Sequence, residues 1–471
     1  DDRPPRTPLH RPARPPRGIG GAAAMRGALL AVALVAVAEA FAPRVAPAAP
    51  ARGSPVRVAT EPDAGGPETL APMKLGVLFL QLGGPSSSSR EEVQGFLYNL
   101  FSDPDIIRLP PLLSGFQKPL AYLISNRRAP KSQAAYESIG GGSPIVRYTR
   151  QQARLVEERL RDAGLDARCY FGMRYWYPFT EEALDEIRRD GRDTLVVVPL
   201  YPQYSVSTSG SSLRVLQEEF FAQLETWAPP RMRHTVVPAW YHREGYSDAV
   251  ARLVNDEIAG FTEAEREEGV HVLFSAHGVP KSYVDAGDPY QAQMEECVDL
   301  VARRLPEDVT VHLSYQSRVG PVEWLRPYTE ETIPDLGRAG VKNLVVVPIS
   351  FVSEHIETLE EIDMEYRELA EESGVEKWRR VPALNTDEVF IDDMGRLVLE
   401  ALEQPCVSVT EAMSEGSASA EQADLVLLGG RAGVTSDAEL VNGRAAMVGL
   451  VAVLVAELLT GSNVVHLLGL R

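Results

Sequence analysis

A run of acidic side chains in the last third of the chain directly follows an apolar run, LVVVPI. Residues 351–365 contain six carboxylates, with His355 among them. A short Val- and Ile-rich run is typical of a buried parallel strand, and open α/β sheets bind ligands where such strands end. Glu357, Glu361 and Glu365 recur at every fourth position, so on a helix they share one face and repel unless cations or protons are present. The spacing indicates a cation or proton site, although a solvated acidic helix face has the same pattern.

A histidine marks the end of a second apolar run, VHVLFSAHGVP at 270–280. The imidazole of His277 can take up and release protons near neutral pH. Gly278 follows it and has no Cβ to obstruct a ligand. A strand-end histidine is also often a hydrogen-bonded structural residue, so His277 alone decides little. Because both segments follow strands, together they predict proton or cation chemistry at a sheet edge.

Eight motifs, in a fixed order over residues 74–402, resemble those of the ferrochelatases. They are LQLGGP at 80–85, RRAPK at 127–131, YESIGGGSP at 136–144, GMRY at 172–175, YPQYSVSTSGSS at 201–212, SAHG at 275–278, YQSRVGP at 315–321 with Trp324, and the acidic segment. Members of this family insert ferrous iron into protoporphyrin IX to make protohaem. The resemblance implies a lyase that forms metal–nitrogen bonds with Fe²⁺ as substrate. One alternative is a non-catalytic tetrapyrrole-binding scaffold of the thylakoid. A second alternative, which these motifs disfavour, is a nickel or cobalt chelatase.

The resemblance also implies roles for single residues. His277 and Glu357 are expected to be catalytic and to face each other across the macrocycle, with His277 taking the pyrrole protons. The side chains expected to handle iron or relay protons are His277, Glu357, His355, Glu354, Glu361 and Glu365. Those expected to bind the porphyrin are Leu82, Arg128, Lys131, Tyr136, Arg174, Tyr175, Ser207, Ser317 and Trp324. Arg128 and Lys131 suit the propionates because cations pair with carboxylates, and without the family they fit an exposed basic loop equally well.

Apolar runs alternate with helical patterns from about residue 74 onward, which predicts βαβ units and the α/β class. Strands are predicted at 75–82, 167–171, 194–200, 234–238, 270–275, 310–315 and 343–349, and helices at 90–100, 151–163, 180–189, 211–226, 246–259, 290–305 and 357–373. The family resemblance implies two Rossmann-like parallel-sheet halves of the chelatase fold, here 73–240 and 241–403. The sequence has no GxGxxG motif that opens a helix after a strand and no phosphate-loop lysine, so it gives no support for nucleotide binding.

Charge and cysteine content exclude several classes of protein. The chain carries a net charge of −19, and the first 72 residues are net positive, so the rest is strongly acidic. Nucleic-acid binding requires a basic surface and is not expected. Cys169, Cys297 and Cys406 are too few and too scattered for a disulfide framework. Some ferrochelatases hold a [2Fe–2S] cluster on four cysteines, and no such cluster is expected here.

Residues 1–72 are predicted to be a disordered leader with targeting information. Around 25–40, Arg26, an eleven-residue apolar run and the AEA motif indicate a signal peptide. The segment 41–72 opens with FAP, has three Arg and no acid up to residue 60, and resembles a plastid transit peptide. The combination resembles the bipartite leader of algae with complex, red-derived plastids. Plain secretion is the alternative.

Residues 404–434 are rich in Ser, Ala, Glu and Gly and are predicted to be a linker. A helix within 435–471 would be roughly 36 Å long, enough to cross a bilayer, although its uncharged run also fits a buried amphipathic helix. ELVNGRAAMVG at 439–449 resembles the chlorophyll a/b-binding helix of light-harvesting proteins. That resemblance implies a thylakoid transmembrane helix, with the active domain in the stroma and a second copy or a single-helix light-harvesting-like protein as partner. Chlorophyll or carotenoid would be held by Glu439, Asn442 and Arg444.

Overall fold

The computed structural model describes residues 73–403, apart from 108, 110, 228–230 and 321. The predicted leader, the linker and the tail helix with Glu439, Asn442 and Arg444 lie outside the described residues, as does Cys406. Within residues 73–403, the structure has no helix that combines the length and the apolar character needed to span a membrane.

The first sheet has four parallel strands in the order β2-β1-β3-β4. The strands are β1 Lys74–Gln81, β2 Asp166–Met173, β3 Thr194–Pro199 and β4 Arg233–Val236. Seven of the eight residues of β1 and all six of β3 are buried. Their uninterrupted apolar sequences are those of central parallel strands, which are covered on both faces.

The second sheet repeats this strand order as β6-β5-β7-β8 and is also parallel. Its strands are β5 Val270–His277, β6 Thr310–Gln316, β7 Asn343–Val347 and β8 Lys377–Arg380. The two sheets fall on either side of residue 240, so the prediction of two parallel-sheet α/β halves is confirmed. The pattern predicts seven of the eight strands and misses β8, whose KWRR sequence is short and mostly charged.

Each of the seven predicted helices has a counterpart in the structure, but Gln117–Ser138, Thr329–Arg338 and Glu388–Glu403 are not predicted by the pattern. The α-helices are Arg90–Ser102, Gln117–Ser138, Ile145–Asp162, Thr180–Arg189, Ser211–Ala222, Leu224–Trp227, Glu244–Ala259, Glu263–Glu267, Lys281–Asp285, Tyr290–Ala302, Thr329–Arg338, Tyr366–Glu372 and Glu388–Glu403. A 3₁₀ turn, Pro111–Phe116, leads into the longest of them. Two π-helical stretches, Val206–Gly210 and Glu357–Glu365, follow β3 and β7 respectively. The helix predicted at 357–373 therefore has the correct position, but its first nine residues are π-helical rather than α-helical.

One apolar core joins the two sheets. Val77 and Phe79 of β1 belong to the same buried cluster as Phe274 of β5 and Val345 of β7. Trp240, at the boundary between the halves, is 1% exposed, and its indole N–H donates to the Pro199 carbonyl at 2.8 Å. The two halves are therefore held together rigidly, because a shared close-packed core resists deformation.

The outer edge of β2 is occupied by side chains of the helix Ile145–Asp162. The Glu157 carboxylate accepts from the backbone N–H of Cys169 at 2.7 Å, and the Arg161 guanidinium donates to the carbonyl of Ala167 at 3.1 Å. Glu157 and Arg161 also pair with each other at 2.8 Å. Backbone groups that have no neighbouring strand on this side are thus satisfied by the protein itself.

Candidate active site

The two predicted segments meet where β5, β6 and β7 end. The strand β5 stays paired with β6 as far as His277 and Gln316, but it pairs with β7 only as far as Phe274 and Val347. Beyond that point the chain after β7 leaves the sheet, and the region around His277 and Glu357 at the ends of β5, β6 and β7 is called the crevice here. This is the position at which open parallel sheets bind ligands.

A hydrogen-bonded histidine–carboxylate pair lies in this crevice. The His277 Nδ1 is 2.9 Å from Glu357 Oε2, and about a third of each side chain is exposed, 32% for His277 and 28% for Glu357. Burial would lower the pKa of His277, but the charge and hydrogen bond of Glu357, aided by the charge of Glu361, outweigh it and raise this pKa above its usual value. Burial would also raise the pKa of Glu357, yet His277 and His355 hold it far below the usual range. Glu357 is therefore ionised and Nδ1 donates to it, which leaves Nε2 of neutral His277 as a proton acceptor.

His355 supports Glu357 from the buried side. His355 is 8% exposed, and its Nδ1 donates to the carbonyl of Ser353 at 3.1 Å. That bond leaves Nε2 directed toward Glu357 Oε2, 3.7 Å away. The ring of Phe351 packs against His355 with centroids 4.3 Å apart and lies 6.0 Å from the His277 ring. The aromatic ring thus holds both imidazoles in place around the carboxylate.

Glu354 takes a different position from its acidic neighbours. Its carboxylate accepts from the Arg380 guanidinium at 2.8 Å, from the backbone N–H of Ala383 at 3.1 Å and from the hydroxyl of Thr358. The side chains of Arg380 and Glu354 are only 12% and 7% exposed. The Glu354 carboxylate, which is expected to handle iron or protons, is thus already occupied by three hydrogen-bond donors. These bonds fix the start of the acidic segment.

Glu361 lies one step beyond Glu357 and holds the end of β6. It accepts from the Ser317 hydroxyl at 2.6 Å, from the Ser317 backbone N–H at 3.0 Å and from the Tyr366 hydroxyl at 2.8 Å. Ser317 has a φ of +62°, a left-handed conformation that is strained for a residue with a Cβ. Burial and the charge of Glu357 raise the pKa of Glu361 despite these hydrogen bonds. Its raised pKa allows Glu361 to hold a proton close to Glu357.

Glu365 lies at the solvent end of the π-helix and is paired with a cation from the other half. The Lys131 ammonium is 3.4 Å from Glu365 Oε1, with side chains 81% and 47% exposed. Glu357, Glu361 and Glu365 therefore run from the crevice to the surface. Over the part of the chain that the structure describes, no three His, Cys, Asp or Glu side chains form a group that could hold a metal ion.

Aromatic and apolar residues from both halves surround the histidine–carboxylate pair. The Trp324 ring stands edge-on to His277 with centroids 6.5 Å apart. Tyr136 is 3% exposed, and burial together with the charge of Glu357 raises its pKa. Leu82 and Ile356 pack on the same apolar cluster as Tyr136. Leu82 and Trp324 are exposed enough to form apolar walls for a flat ligand, whereas Tyr136 is buried and packs behind Leu82.

The remaining predicted porphyrin ligands differ in exposure. Arg128 and Lys131 are exposed on the helix Gln117–Ser138, so they form part of a helix and not of a basic loop. Ser207 lies half-buried in the π-helical stretch after β3, and its hydroxyl is 3.1 Å from that of Ser205. Exposed cations at the rim of the crevice can reach carboxylates that a buried ring would leave in solvent.

Three expectations need correction. His277 and Glu357 do not face each other across the macrocycle, because His277 Nδ1 and Glu357 Oε2 are hydrogen-bonded at 2.9 Å and no ring fits between them. Tyr175 does not line the crevice, because its side chain is 0% exposed and its hydroxyl donates to Asp103 at 2.8 Å. Arg174 binds the same carboxylate at 2.7 Å and therefore supports the wall from behind. The reason given for Gly278 is also wrong, since a Cβ there would lie 2.8 Å from the Gln316 carbonyl and 3.1 Å from the Trp324 ring. Gly278 allows close packing within the protein.

Several functional neighbours are not apparent from sequence patterns. Asp103, Arg380, Tyr290, Ser350 and Phe351 each contact a predicted site residue from a separate part of the chain. Phe351 and Ser350 immediately follow the β7 run, which is the one signal that marks them. The others are distant in sequence, and only the packing of the sheets brings them to the site.

A base paired with a partly buried carboxylate, at the strand ends of a parallel sheet and beside apolar walls, defines an enzyme site for proton transfer on a flat ligand. Comparison with known proteins gives the family. The family model described as Ferrochelatase matches residues 74–402. A ferrochelatase of a Cyanothece species is 53% identical over 401 residues, covering 84% of this chain and 99% of that protein. "Ferrochelatase-2, chloroplastic" of Oryza sativa is 52% identical, and that of Arabidopsis thaliana 50%, each over 417 residues that cover 84% of this chain and 78% or 80% of the relative.

The chain belongs to the ferrochelatase family. Its predicted activity is confirmed at this level: it is an enzyme of haem biosynthesis, a lyase that inserts Fe²⁺ into protoporphyrin IX. The crevice described above lies wholly within the matched residues 74–402.

Proposed function

We propose that His277 is the base that removes the pyrrole protons and that Glu357 is its catalytic partner. Metallation exchanges two N–H protons of the porphyrin for one Fe²⁺ on four nitrogens, so two protons must leave the crevice in each turnover. The single observation that carries this assignment is the 2.9 Å contact between His277 Nδ1 and Glu357, which leaves Nε2 free to accept a proton. Glu357 then stabilises the imidazolium that forms.

The acidic segment supplies the path to solvent. In this proposal protons pass from His277 to Glu357 and Glu361, and leave at Glu365, which is 47% exposed. His355 orients Glu357, and Glu354 fixes the start of the segment through Arg380. The same row of carboxylates suits a divalent cation moving inward, because negatively charged oxygens attract Fe²⁺. The two uses are compatible, since each incoming Fe²⁺ replaces two outgoing protons in charge.

The porphyrin lies with its apolar face between the two halves and its propionates at the rim. Leu82 and Trp324 provide the walls, Tyr136 supports Leu82 from behind, and Arg128 and Lys131 pair with the propionates. The Lys131 ammonium already pairs with the Glu365 carboxylate, which supports its ability to bind a propionate carboxylate. Ser317 and Ser207 contribute hydroxyl groups at the ends of β6 and β3.

The test of the base is His277→Ala in the full-length protein, measured by Fe²⁺ and Zn²⁺ insertion into protoporphyrin IX. His271→Ala is the matched control, because His271 is a partly buried histidine at the opposite end of the same strand. We expect His277→Ala to lose turnover while porphyrin fluorescence shows that it still binds, and His271→Ala to keep turnover. Full activity of His277→Ala would remove the catalytic assignment.

We infer that the protein acts in the plastid, attached to the thylakoid membrane by its tail with the active domain in the stroma. The chloroplastic relatives support the plastid. Their matches cover 84% of the 471 residues, about 395, which exceeds the 329 residues of 74–402, so part of the leader or tail is shared with them. The tail prediction rests on Glu439, Asn442 and Arg444, with chlorophyll or carotenoid as ligand and a second helix as partner.

Truncation after Pro405 tests the tail. The truncated protein should leave the membrane fraction and keep porphyrin metallation, whereas Glu439→Ala with Asn442→Ala should stay folded but lose any co-purifying pigment. A truncated protein that stays on membranes would place the anchor elsewhere. Complementation of a haem-auxotrophic strain by residues 73–402 separates the enzyme from the scaffold alternative, which a folded but inactive product would favour.

A further inference from the structure

Three hydrogen bonds form a closed ring at the backbone of His277. Its N–H donates to Ser350 Oγ at 2.9 Å, and its carbonyl accepts from the Tyr290 hydroxyl at 2.8 Å. The hydroxyls of Tyr290 and Ser350 lie 2.9 Å apart. Tyr290 has one hydroxyl proton and donates it to the His277 carbonyl, so Ser350 is the donor in the bond between the two hydroxyls. The ring therefore runs in one direction and satisfies both backbone groups of His277.

This ring lies where the sheet can no longer hold His277. On the β6 side, β5 remains in register to its last residue, but on the β7 side the ladder ends at Phe274 and Val347. Ser350 belongs to the chain that turns away from β7 toward Phe351 and Glu357. Its hydroxyl thus replaces the missing ladder contact and ties the segment of Glu357 to the strand of His277.

Tyr290 is itself rigidly held. It is 5% exposed and begins the helix Tyr290–Ala302, and its backbone N–H donates to Asp288 Oδ1 at 3.0 Å. The other oxygen of Asp288 accepts from the Ser205 hydroxyl at 2.9 Å and the Val206 N–H at 2.8 Å. A continuous set of hydrogen bonds therefore connects the π-helical stretch after β3, in the first half, to His277 in the second.

We propose that Tyr290 and Ser350 are positioning residues that hold the His277 imidazole against Glu357. Neither touches the reacting atoms, and both act through the His277 backbone. When either hydroxyl is lost the ring opens, the peptide of His277 can rotate, and the Nδ1 to Oε2 contact of 2.9 Å lengthens. This inference rests on the proposed role of His277 and adds two residues to it.

The experiment compares Tyr290→Phe, Ser350→Ala and the double variant in full-length protein, with Zn²⁺ and protoporphyrin IX as substrates. We expect kcat to fall on the order of 10- to 100-fold, because small misplacements of a catalytic group are costly, while KM for the porphyrin stays unchanged. The double variant should be no worse than the poorer single variant, since one missing hydroxyl already opens the ring. Ser350→Thr keeps a hydroxyl and should restore most of the activity lost in Ser350→Ala.

Tyr170→Phe is the matched control, because Tyr170 is a buried tyrosine whose hydroxyl bonds Asp190 in the first half. If Tyr290→Phe and Ser350→Ala keep the kcat of this control, the positioning role is wrong. It is also wrong if the double variant shows the product of the two single losses, which would mean independent effects. Activity in His277→Ala instead refutes the proposed base, so the two failures are distinguishable.

Discussion

Replacement of Arg380 by Met tests whether Glu354 is a structural anchor. Arg380 ends β8 and is the only cation that the described residues bring to the Glu354 carboxylate. Met keeps much of the length and apolar surface of the arginine side chain but removes its charge. The variant therefore leaves a carboxylate that is only 7% exposed without its counter-charge.

The expected loss of stability follows from the burial of both partners. Breaking a buried ion pair by removing one member costs about 3–5 kcal/mol, because the other charge stays desolvated. Glu354 keeps its bonds from Thr358 and the Ala383 N–H, so we expect the lower end of that range. Glu354→Gln should cost less, about 1–2 kcal/mol, because Arg380 still has Asp363 at 3.4 Å. In the double variant no isolated charge remains, so its loss should be smaller than that of Arg380→Met alone.

Urea unfolding of the full-length protein, followed by tryptophan fluorescence, measures these differences. Arg338→Met is the control, because Arg338 and Asp335 form an exposed pair with side chains 68% and 70% exposed, a kind of pair worth at most about 1 kcal/mol. If Arg380→Met is no less stable than Arg338→Met, the anchor is refuted. Glu354→Gln should also keep most of its metallation rate. A metallation rate as low as that of a Glu357 variant would show that Glu354 takes part in handling iron or protons.

Three further predictions concern the crevice. Metallation should slow on acidification with a midpoint above about pH 6.5, the usual value for histidine, because His277 must be neutral to accept a proton and Glu357 raises its pKa. Glu357→Gln should move that midpoint to lower pH, since burial is then opposed only by the charge of Glu361, and a midpoint that stays in place in the rate–pH profile would contradict this. Ser317→Val should lose about 1–3 kcal/mol of stability in thermal unfolding, because φ is +62° and a β-branched residue is strained there. Ser317→Gly should lose less, because it is unstrained and gives up mainly the hydroxyl bond to Glu361. Gly278→Ala should lose about 1–3 kcal/mol, because its Cβ would meet the Gln316 carbonyl at 2.8 Å, and an unchanged melting temperature would show that the backbone can yield.

The sequence predicts the parts of this structure that depend on local pattern. Central parallel strands such as β3 and β7 are buried on both faces, so their apolar runs are unambiguous. The helix Gln117–Ser138 escapes prediction because Pro130 lies inside it and its apolar residues do not form a regular stripe. The π-helical form of Glu357–Glu365 has no sequence signature, since it depends on packing around the site.

The same distinction applies to the site. His277 and Glu357 can be named from strand ends and family motifs, and the structure brings them to 2.9 Å. Their supporting residues cannot, because Tyr290 and Arg380 reach them from other elements and no spacing links them in sequence. The expectation that Tyr175 lines the crevice is wrong, because this aromatic residue is fully buried.

The side chains along the edge of β2 bear on how copies of this protein behave toward each other. An unpaired strand edge is a template onto which a strand of another molecule can add, and such additions lead to aggregation. Here an incoming strand would first have to break the bond from Cys169 to Glu157 and the bond from Arg161 to Ala167. It would gain little in exchange, because it would replace satisfied hydrogen bonds with equivalent ones. The β2 edge of the first half is therefore protected against the addition of a strand from another molecule.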